Sequence, residues 1–182
     1  MYLTTIIPRF ARLGAVAATI AMPLAMRVTP AGAQQAAIPD NRYVVPFSVL
    51  DGTPDFDPGQ GLGYWLWRDQ DGIHLRTTTH GTEHDFNGVL RTTDNARFVD
   101  VTPYHLEDHG ANDDRVRVNP DHDIIRFHFD TWDGVDGVDF RVNGRAFCVE
   151  LENNGHEATD LALLGQDQLK PDQLPICFQR GA

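Results

Sequence analysis

Ten short runs rich in β-branched and aromatic residues constrain the fold of this chain most strongly. In chain order they are YVVPFSVL, YWLWR, IHLRTTT, DFNGVLRT, ARFVDV, RVRV, IIRFHF, VDFRV, AFCVEL and PICFQR, and turn-forming residues separate nearly all of them. One other segment, DLALLGQDQLK from Asp160, has the pattern of a short helix, which Gly165 weakens. Short strands at this spacing predict an all-β fold. We expect a jelly-roll-like antiparallel β-sandwich of about eight to ten short strands, with a closed up-and-down β-barrel as the alternative.

The N-terminal segment has the features of a cleavable signal peptide. Arg9 and Arg12 give a positive start, and the apolar run LGAVAATIAMPLAM that follows is too short to span a bilayer comfortably. The small residues AGA then stand where signal peptidase cuts. An uncleaved anchor is the alternative, which Pro23 and Arg27 disfavour because they shorten the run. We predict a signal peptide at residues 1–33.

Cleavage there would leave a strongly acidic chain. The 149 remaining residues comprise a leader, 34–42, and a single β domain, 43–182. Because the removed segment carries three arginines and no acid, 15 basic and 26 acidic residues become 12 and 26, a net charge of −14. Such a surface repels nucleic acid and anionic lipid. We therefore expect a periplasmic or secreted protein with no nucleic-acid partner and no transmembrane segment after cleavage.

The two cysteines are expected to form a disulfide. Exported chains with an even number of cysteines usually pair them, and the two here are Cys148 and Cys177. Closing a loop of about 30 residues stabilises a fold by roughly 3 to 4 kcal/mol in the chain-entropy model.

Two turns predict strand register. Asn143-Gly144 is typical of a two-residue hairpin, which would set Phe140 opposite Phe147 on the inner face. The stretch DQDG at residues 69–72 favours a bulged three-residue loop.

That bulged loop would place Trp65 and Trp67 on the core face, together with Ile73 and Leu75. A strict two-residue loop would instead place the tryptophans beside a histidine and an arginine. In the bulged register the opposite, polar face is a candidate binding surface, and its residues are Tyr64, Arg68, His74 and Arg76.

Several catalytic groups are scarce in the sequence. Ser48 is the only serine and lies outside any Gly-x-Ser-x-Gly turn, which argues against a serine hydrolase. Lys170 is the only lysine, and no phosphate-binding loop is present. We therefore assign no catalytic residue and favour a protein that is not an enzyme.

The histidines give a weaker indication of metal binding. If residues 81–83 form a turn, His80 and His84 would face each other closely enough to share an ion, and His105 could supply a third ligand. Aspartate-rich turns such as DGVDG also suit calcium, but this composition is what tight turns use in any case, and we favour that interpretation. We expect no cofactor, with zinc or calcium as the ions to consider.

These patterns predict an exported, non-catalytic β-sandwich module that binds a surface, a polymer or another protein. One alternative is a carrier of a small apolar ligand, since Gly63-Tyr64-Trp65 resembles the Gly-x-Trp that opens the first strand of lipocalins; that resemblance implies a β-barrel. Another is a small metal-dependent hydrolase that uses His80 and His84.

Overall fold

The computed structural model describes residues 43–56, 63–79, 84–93, 95–106, 114–131, 134–152, 161–169 and 175–181. The predicted signal peptide and leader lie outside the described residues. Within these ranges the chain forms twelve strands and one short 3-10 helix, Phe47–Leu50. No helix in the described ranges has the length and apolarity that a membrane crossing requires.

The strands follow one another with few other elements between them. In chain order they are β1 Tyr43–Pro46, β2 Gly63–Arg68, β3 Ile73–Thr78, β4 His84–Thr92, β5 Arg97–Tyr104, β6 Arg115–Val118, β7 Ile124–Thr131, β8 Val135–Asn143, β9 Ala146–Glu152, β10 Leu161–Leu163, β11 Asp167–Leu169 and β12 Ile176–Gln179. The ten runs singled out in the sequence correspond to ten of these twelve strands.

The strands form two six-stranded sheets. The first sheet has the order β1-β12-β9-β4-β7-β6, and the second has the order β11-β10-β2-β3-β8-β5. The pairs β1–β12 and β10–β2 are parallel and the other neighbours are antiparallel, so both sheets are mixed. The prediction of an all-β sandwich is confirmed.

The barrel alternative is wrong, and so is the lipocalin-like carrier that depended on it. An up-and-down barrel needs successive strands to pair, but from β3 to β6 each strand lies in the opposite sheet from the one before. The two sheets are not closed on each other among the described strands. Gly63-Tyr64-Trp65 begins a central strand of the second sheet rather than the first strand of a barrel.

The core lies between the sheets and is rich in phenylalanine. The fully buried members are Phe47, Phe86, Phe98, Phe129, Phe140, Phe147 and Phe178. Among the polar contacts between the sheets, the Tyr64 hydroxyl donates to the Asn87 carbonyl at 3.2 Å, and the Thr77 and Thr131 hydroxyls lie 3.0 Å apart. Both contacts satisfy hydroxyl groups that burial removes from water.

The hairpin predicted at Asn143-Gly144 is wrong, although its inward residues are correct. β8 and β9 lie in different sheets, so this turn carries the chain across the sandwich. Phe140 and Phe147 are both buried and meet across the core with ring centroids 5.5 Å apart. A Cβ at Gly144 would lie 2.1 Å from the Cβ of Ala96, so the crossing requires glycine for space.

The helix predicted from Asp160 is also wrong. The segment forms the hairpin of β10 and β11, and Leu164 and Gly165 occupy its turn with φ of 50° and 78°. Two positive φ values at the central positions of the turn that the Gln166 N–H closes on the Leu163 carbonyl are typical of type I′, and Gln166 completes a three-residue connection between paired Leu163 and Asp167. The glycine that weakened the helix is therefore the residue that allows the turn.

Candidate functional site

The register of β2 and β3 decides which residues reach the surface of the second sheet. Trp67 lies opposite His74 and Trp65 opposite Arg76, which is the register of the two-residue loop, and the Asp69 N–H donates to the Gly72 carbonyl at 3.0 Å. The predicted register, with the tryptophans on the core face beside Ile73, is wrong. Tyr64 and Leu66 fill the core instead, and they satisfy the apolar interior as well as the tryptophans would.

The tryptophans form a small second cluster on the outer face. Phe56 covers both, with ring centroids 5.0 Å from Trp65 and 5.6 Å from Trp67. The β10–β11 turn also closes over Trp65, since a Cβ at Gly165 would lie 2.6 Å from its ring. Trp67 is only 7% exposed, so this face is packed and is not an open stacking platform.

His74 lies between two carboxylates on this face. Its Nδ1 is 2.8 Å from Asp139 Oδ1 and its Nε2 is 2.9 Å from Asp69 Oδ1. As an imidazolium it donates both N–H groups. Asp69 also accepts backbone N–H groups from Asp71 and Gly72, which fixes the turn between β2 and β3.

These contacts shift the pKa values of all three groups. Burial acts to lower the pKa of His74, but hydrogen bonds to Asp139 and Asp69 outweigh it and raise the pKa above its ordinary value. Burial acts to raise the pKa of both carboxyls, but other effects outweigh it and lower the pKa of each. The largest of these effects, in both carboxyls, is the hydrogen bond from His74. The favoured state is an imidazolium between two carboxylates, with a net charge of −1.

Arg76 extends from the same face across β8 towards β5. Its Nη2 lies 2.6 Å from Asp139 Oδ1, and its guanidinium lies 3.7 Å from the centroid of the Tyr104 ring. Gly137 of β8 pairs with both Arg76 and Tyr104, and because it has no side chain it leaves room for the Arg76 side chain to cross β8. A Cβ at Gly137 would lie 2.8 Å from Arg76 Cδ.

This network is suited to holding the face together rather than to catalysis. Both nitrogens of His74 are engaged by carboxylates, so the ring has no free site to accept a proton from a substrate. The lowered pKa values of Asp69 and Asp139 make them poor general acids.

An open cleft lies at the end of the sandwich, next to this network. Its volume is about 520 Å³, and Asp69 contributes to both places. We call it the arginine cleft because its lining includes Arg68, Arg141 and Arg180, and the buried residues Ile73 and Val142 also line it.

Phe47 supports two of the cleft's arginines. The guanidinium of Arg68 lies 4.5 Å from the ring centroid and that of Arg180 lies 4.9 Å from it. Arg68 is paired with Asp51, whereas Arg180 makes no ion pair within the described ranges. Arg141 reaches Asp100 only at 3.5 Å, with both side chains exposed. The carboxylates of the cleft are thus engaged, and positive charge remains unmatched.

The four residues predicted to form one polar face lie on opposite faces of the second sheet. Tyr64 is buried in the core, where burial raises its pKa, and Arg68 lies on the same side at the end of β2. His74 and Arg76 lie on the outer face beside the tryptophans. Arg68 is therefore the one predicted site residue that lines the arginine cleft.

Sequence reasoning missed Phe47, Arg141 and Arg180. They belong to the 3-10 helix, β8 and the segment after β12, and no local pattern connects them. Only the sandwich topology brings them to one end. A single arginine after an apolar run, as in PICFQR, is too common a pattern to have identified the cleft.

The predicted metal ligands are only partly described. His80 lies outside the described residues. His84 begins β4 in the first sheet, and His105 follows β5 of the second sheet with its ring stacked 4.1 Å from that of Tyr104. Across the described residues, no three His, Cys, Asp or Glu side chains are grouped to hold an ion.

The predicted disulfide is present on the outer face of the first sheet. Cys148 of β9 and Cys177 of β12 lie directly opposite each other, and their sulfur atoms are bonded. The bond ties the central strand β9 to β12, which in turn holds β1.

Comparisons with known proteins give little. No protein-family model matches the chain. No curated protein matches it. Among solved structures, a chain of a type I cohesin–dockerin complex from Clostridium thermocellum is similar, with 13% identity, coverage of 71% of this chain and 98% of that chain, and a TM-score of 0.32. A likeness of this size carries no argument about this chain.

Proposed function

We propose that this protein is an exported, non-catalytic binding module whose ligand presents an anionic group to the arginine cleft. The observation that carries the proposal is the surplus of positive charge in the cleft. Arg180 has no carboxylate partner in the described part of the chain and is held against Phe47, ready to receive one. A cleft of about 520 Å³ is large enough for a carboxylate- or phosphate-bearing group of a polymer or protein.

Electrostatics favours this location. The whole chain carries 15 basic and 26 acidic residues, so most of its surface repels anions. Three arginines and two aspartates line the cleft, so its lining carries a surplus of one positive charge that would orient an anionic ligand. Planar guanidinium groups also bind carboxylate and phosphate in a bidentate manner.

The titratable groups near the cleft are already paired with one another, which favours a binding role over a catalytic one. Asp51 is held by Arg68 and Asp69 by His74, which leaves no free acid–base pair among the described residues that line the cleft. Export is supported by the disulfide, since such bonds persist in oxidising compartments.

Titration with citrate and with inorganic phosphate, followed by amide NMR, tests the proposal. Saturable shifts are expected at Gly52, Gly72 and Val142, with affinity falling as salt rises. Arg180→Gln should weaken binding at least tenfold, whereas Arg97→Gln, which removes the same charge from exposed β5, should leave it unchanged. Absence of saturable shifts, or equal weakening by both variants, would refute the cleft as the site.

A further inference from the structure

A second cluster of arginines, none of which lines the cleft, lies on β6 and β7 of the first sheet. Arg115 and Arg117 of β6 and Arg126 of β7 are exposed, while Val116 and Val118 pack inward between the arginines of β6. Arg117 lies directly opposite Arg126. We call these three residues the β6–β7 arginine patch.

The patch is electrostatically unfavourable as it stands. Directly opposed residues on antiparallel strands have Cβ atoms about 4.5 to 5.5 Å apart, and like charges there destabilise the pair. Within the described ranges, none of the three arginines makes an ion pair.

Acidic residues near the patch are already engaged. Glu150, on the same face beyond β4, binds Arg91 at 3.1 Å. Asp114, just before β6, accepts the backbone N–H of Asp130 at 2.7 Å. In a chain with a net charge of −11, carboxylates could have neutralised the patch, yet no carboxylate in the described part of the chain forms an ion pair with it.

The position of β6 indicates how a partner would bind. β6 stands at the end of the first sheet, and no described strand pairs with its outer side. A peptide added there would receive main-chain hydrogen bonds and would place alternate side chains opposite the arginines. Arg115 and Arg117 are two residues apart, about 6.6 Å along the strand, which is the same-face repeat of any extended peptide.

We propose that the outer side of β6 accepts an extended acidic segment of a partner protein by strand addition, with carboxylates at alternate positions paired to Arg115 and Arg117 and supported by Arg126. A second copy of this chain is a poorer occupant because two bodies of the same net charge repel. A flexible anionic polymer would gain the charge attraction but none of the main-chain pairing.

The test uses labelled peptides and fluorescence anisotropy with the full-length protein. The peptide TETETET should bind at least tenfold more tightly than TEEETTT, which has the same composition without alternation. N-methylation of the TETETET amides that face β6 should abolish binding. Equal affinity for both sequences, or binding that survives N-methylation, would overturn strand addition in favour of general attraction for acids.

Arginine variants test whether the peptide binds at the β6–β7 arginine patch. Arg117→Gln should weaken TETETET binding at least fivefold while leaving the fold intact or slightly more stable, because it removes the opposed like charge. Arg145→Gln, which removes the same charge from the exposed turn between β8 and β9, is the matched control and should bind TETETET as the parent does. Arg180→Gln separates this surface from the cleft: peptide binding lost equally in Arg117→Gln and Arg180→Gln would contradict the patch.

Discussion

The imidazole of His74 stacks on the indole of Trp67, with ring centroids 5.0 Å apart and planes inclined by 25°. The stack lies on the outer face of the second sheet, with Asp69 and Asp139 at the two nitrogens of the ring. A cation on an aromatic face and between two carboxylates is stabilised in its charged form. The protonation state of one side chain therefore affects the packing of the whole face.

Folding stability should depend on pH through this group. Because the folded state raises the pKa of His74, its contribution is fully present below the unfolded value of about 6.5 and is lost as pH rises through the folded value. Because Asp69 and Asp139 have lowered pKa values, their contribution is present above about 3.9 and is lost as pH falls through the folded values. Urea denaturation should show maximal stability between about pH 4 and 6.5.

The His74→Gln variant tests whether His74 causes the alkaline part of this pH dependence. The variant should be less stable than the parent at pH 6. Above pH 6.5 its stability should fall much less than that of the parent, because glutamine does not titrate. His122→Gln is a control, since His122 takes no part in the network. A variant that keeps the full alkaline decline would show that another group causes it.

Trp67→Ala should destabilise the fold by about 3 to 5 kcal/mol, as large truncations at buried sites do. Trp67 is 7% exposed and contacts Phe56 and His74, so its removal leaves a cavity under the outer cluster. Trp65→Ala should cost less because Trp65 is only half-buried. Chemical denaturation of the two variants makes the comparison, and a larger cost for Trp65 would contradict the packing described.

The register of β2 could not be predicted because the strand is apolar on both faces. In the sequence YWLW, either alternate pair can fill a core, and grouping apolar residues with apolar residues selected the wrong one. The actual register gains contacts invisible in a local pattern: Phe56 over the tryptophans, Asp139 on His74, and the Tyr64 hydroxyl bond across the core.

Strand existence was predictable, whereas strand pairing was not. The alternation around Phe140 and Phe147 identified inward residues correctly, because burial depends on local periodicity. The Asn-Gly sequence between them is typical of a hairpin, but the next strand joins the other sheet. The turn packs closely against Ala96, which is distant in sequence and which no local pattern identifies. The arginine cleft could not be predicted either, because its residues come from segments whose arrangement in the sheets the local pattern does not determine.

Gly137→Ala should destabilise the protein by about 1 to 3 kcal/mol, the usual range for overpacking a close contact. A Cβ at this position would lie 2.2 Å from the carbonyl oxygen of Leu75, so backbone and not a flexible side chain must move. Gly134→Ala is the matched control three residues away, just before β8, where no described atom lies within 4 Å of the added carbon. The control should be neutral or slightly stabilising, and equal melting of both variants would contradict the close approach.

The disulfide should contribute roughly 3 to 4 kcal/mol to the free energy of unfolding, the chain-entropy value for a closed loop of this size. Cys148 and Cys177 are 29 residues apart in sequence and directly opposite in the sheet, so the bond limits the unfolded chain while joining strands that already pair. The double variant Cys148→Ala/Cys177→Ala should keep the fold but unfold at lower denaturant concentration, and a reducing agent should produce a similar loss in the parent and none in the variant. Mass spectrometry of the purified parent should show a chain two protons lighter than the dithiol. Two freely alkylated cysteines in protein prepared from an oxidising compartment would contradict the bond, and an unchanged midpoint in the double variant would show that strand pairing alone holds β12 in place.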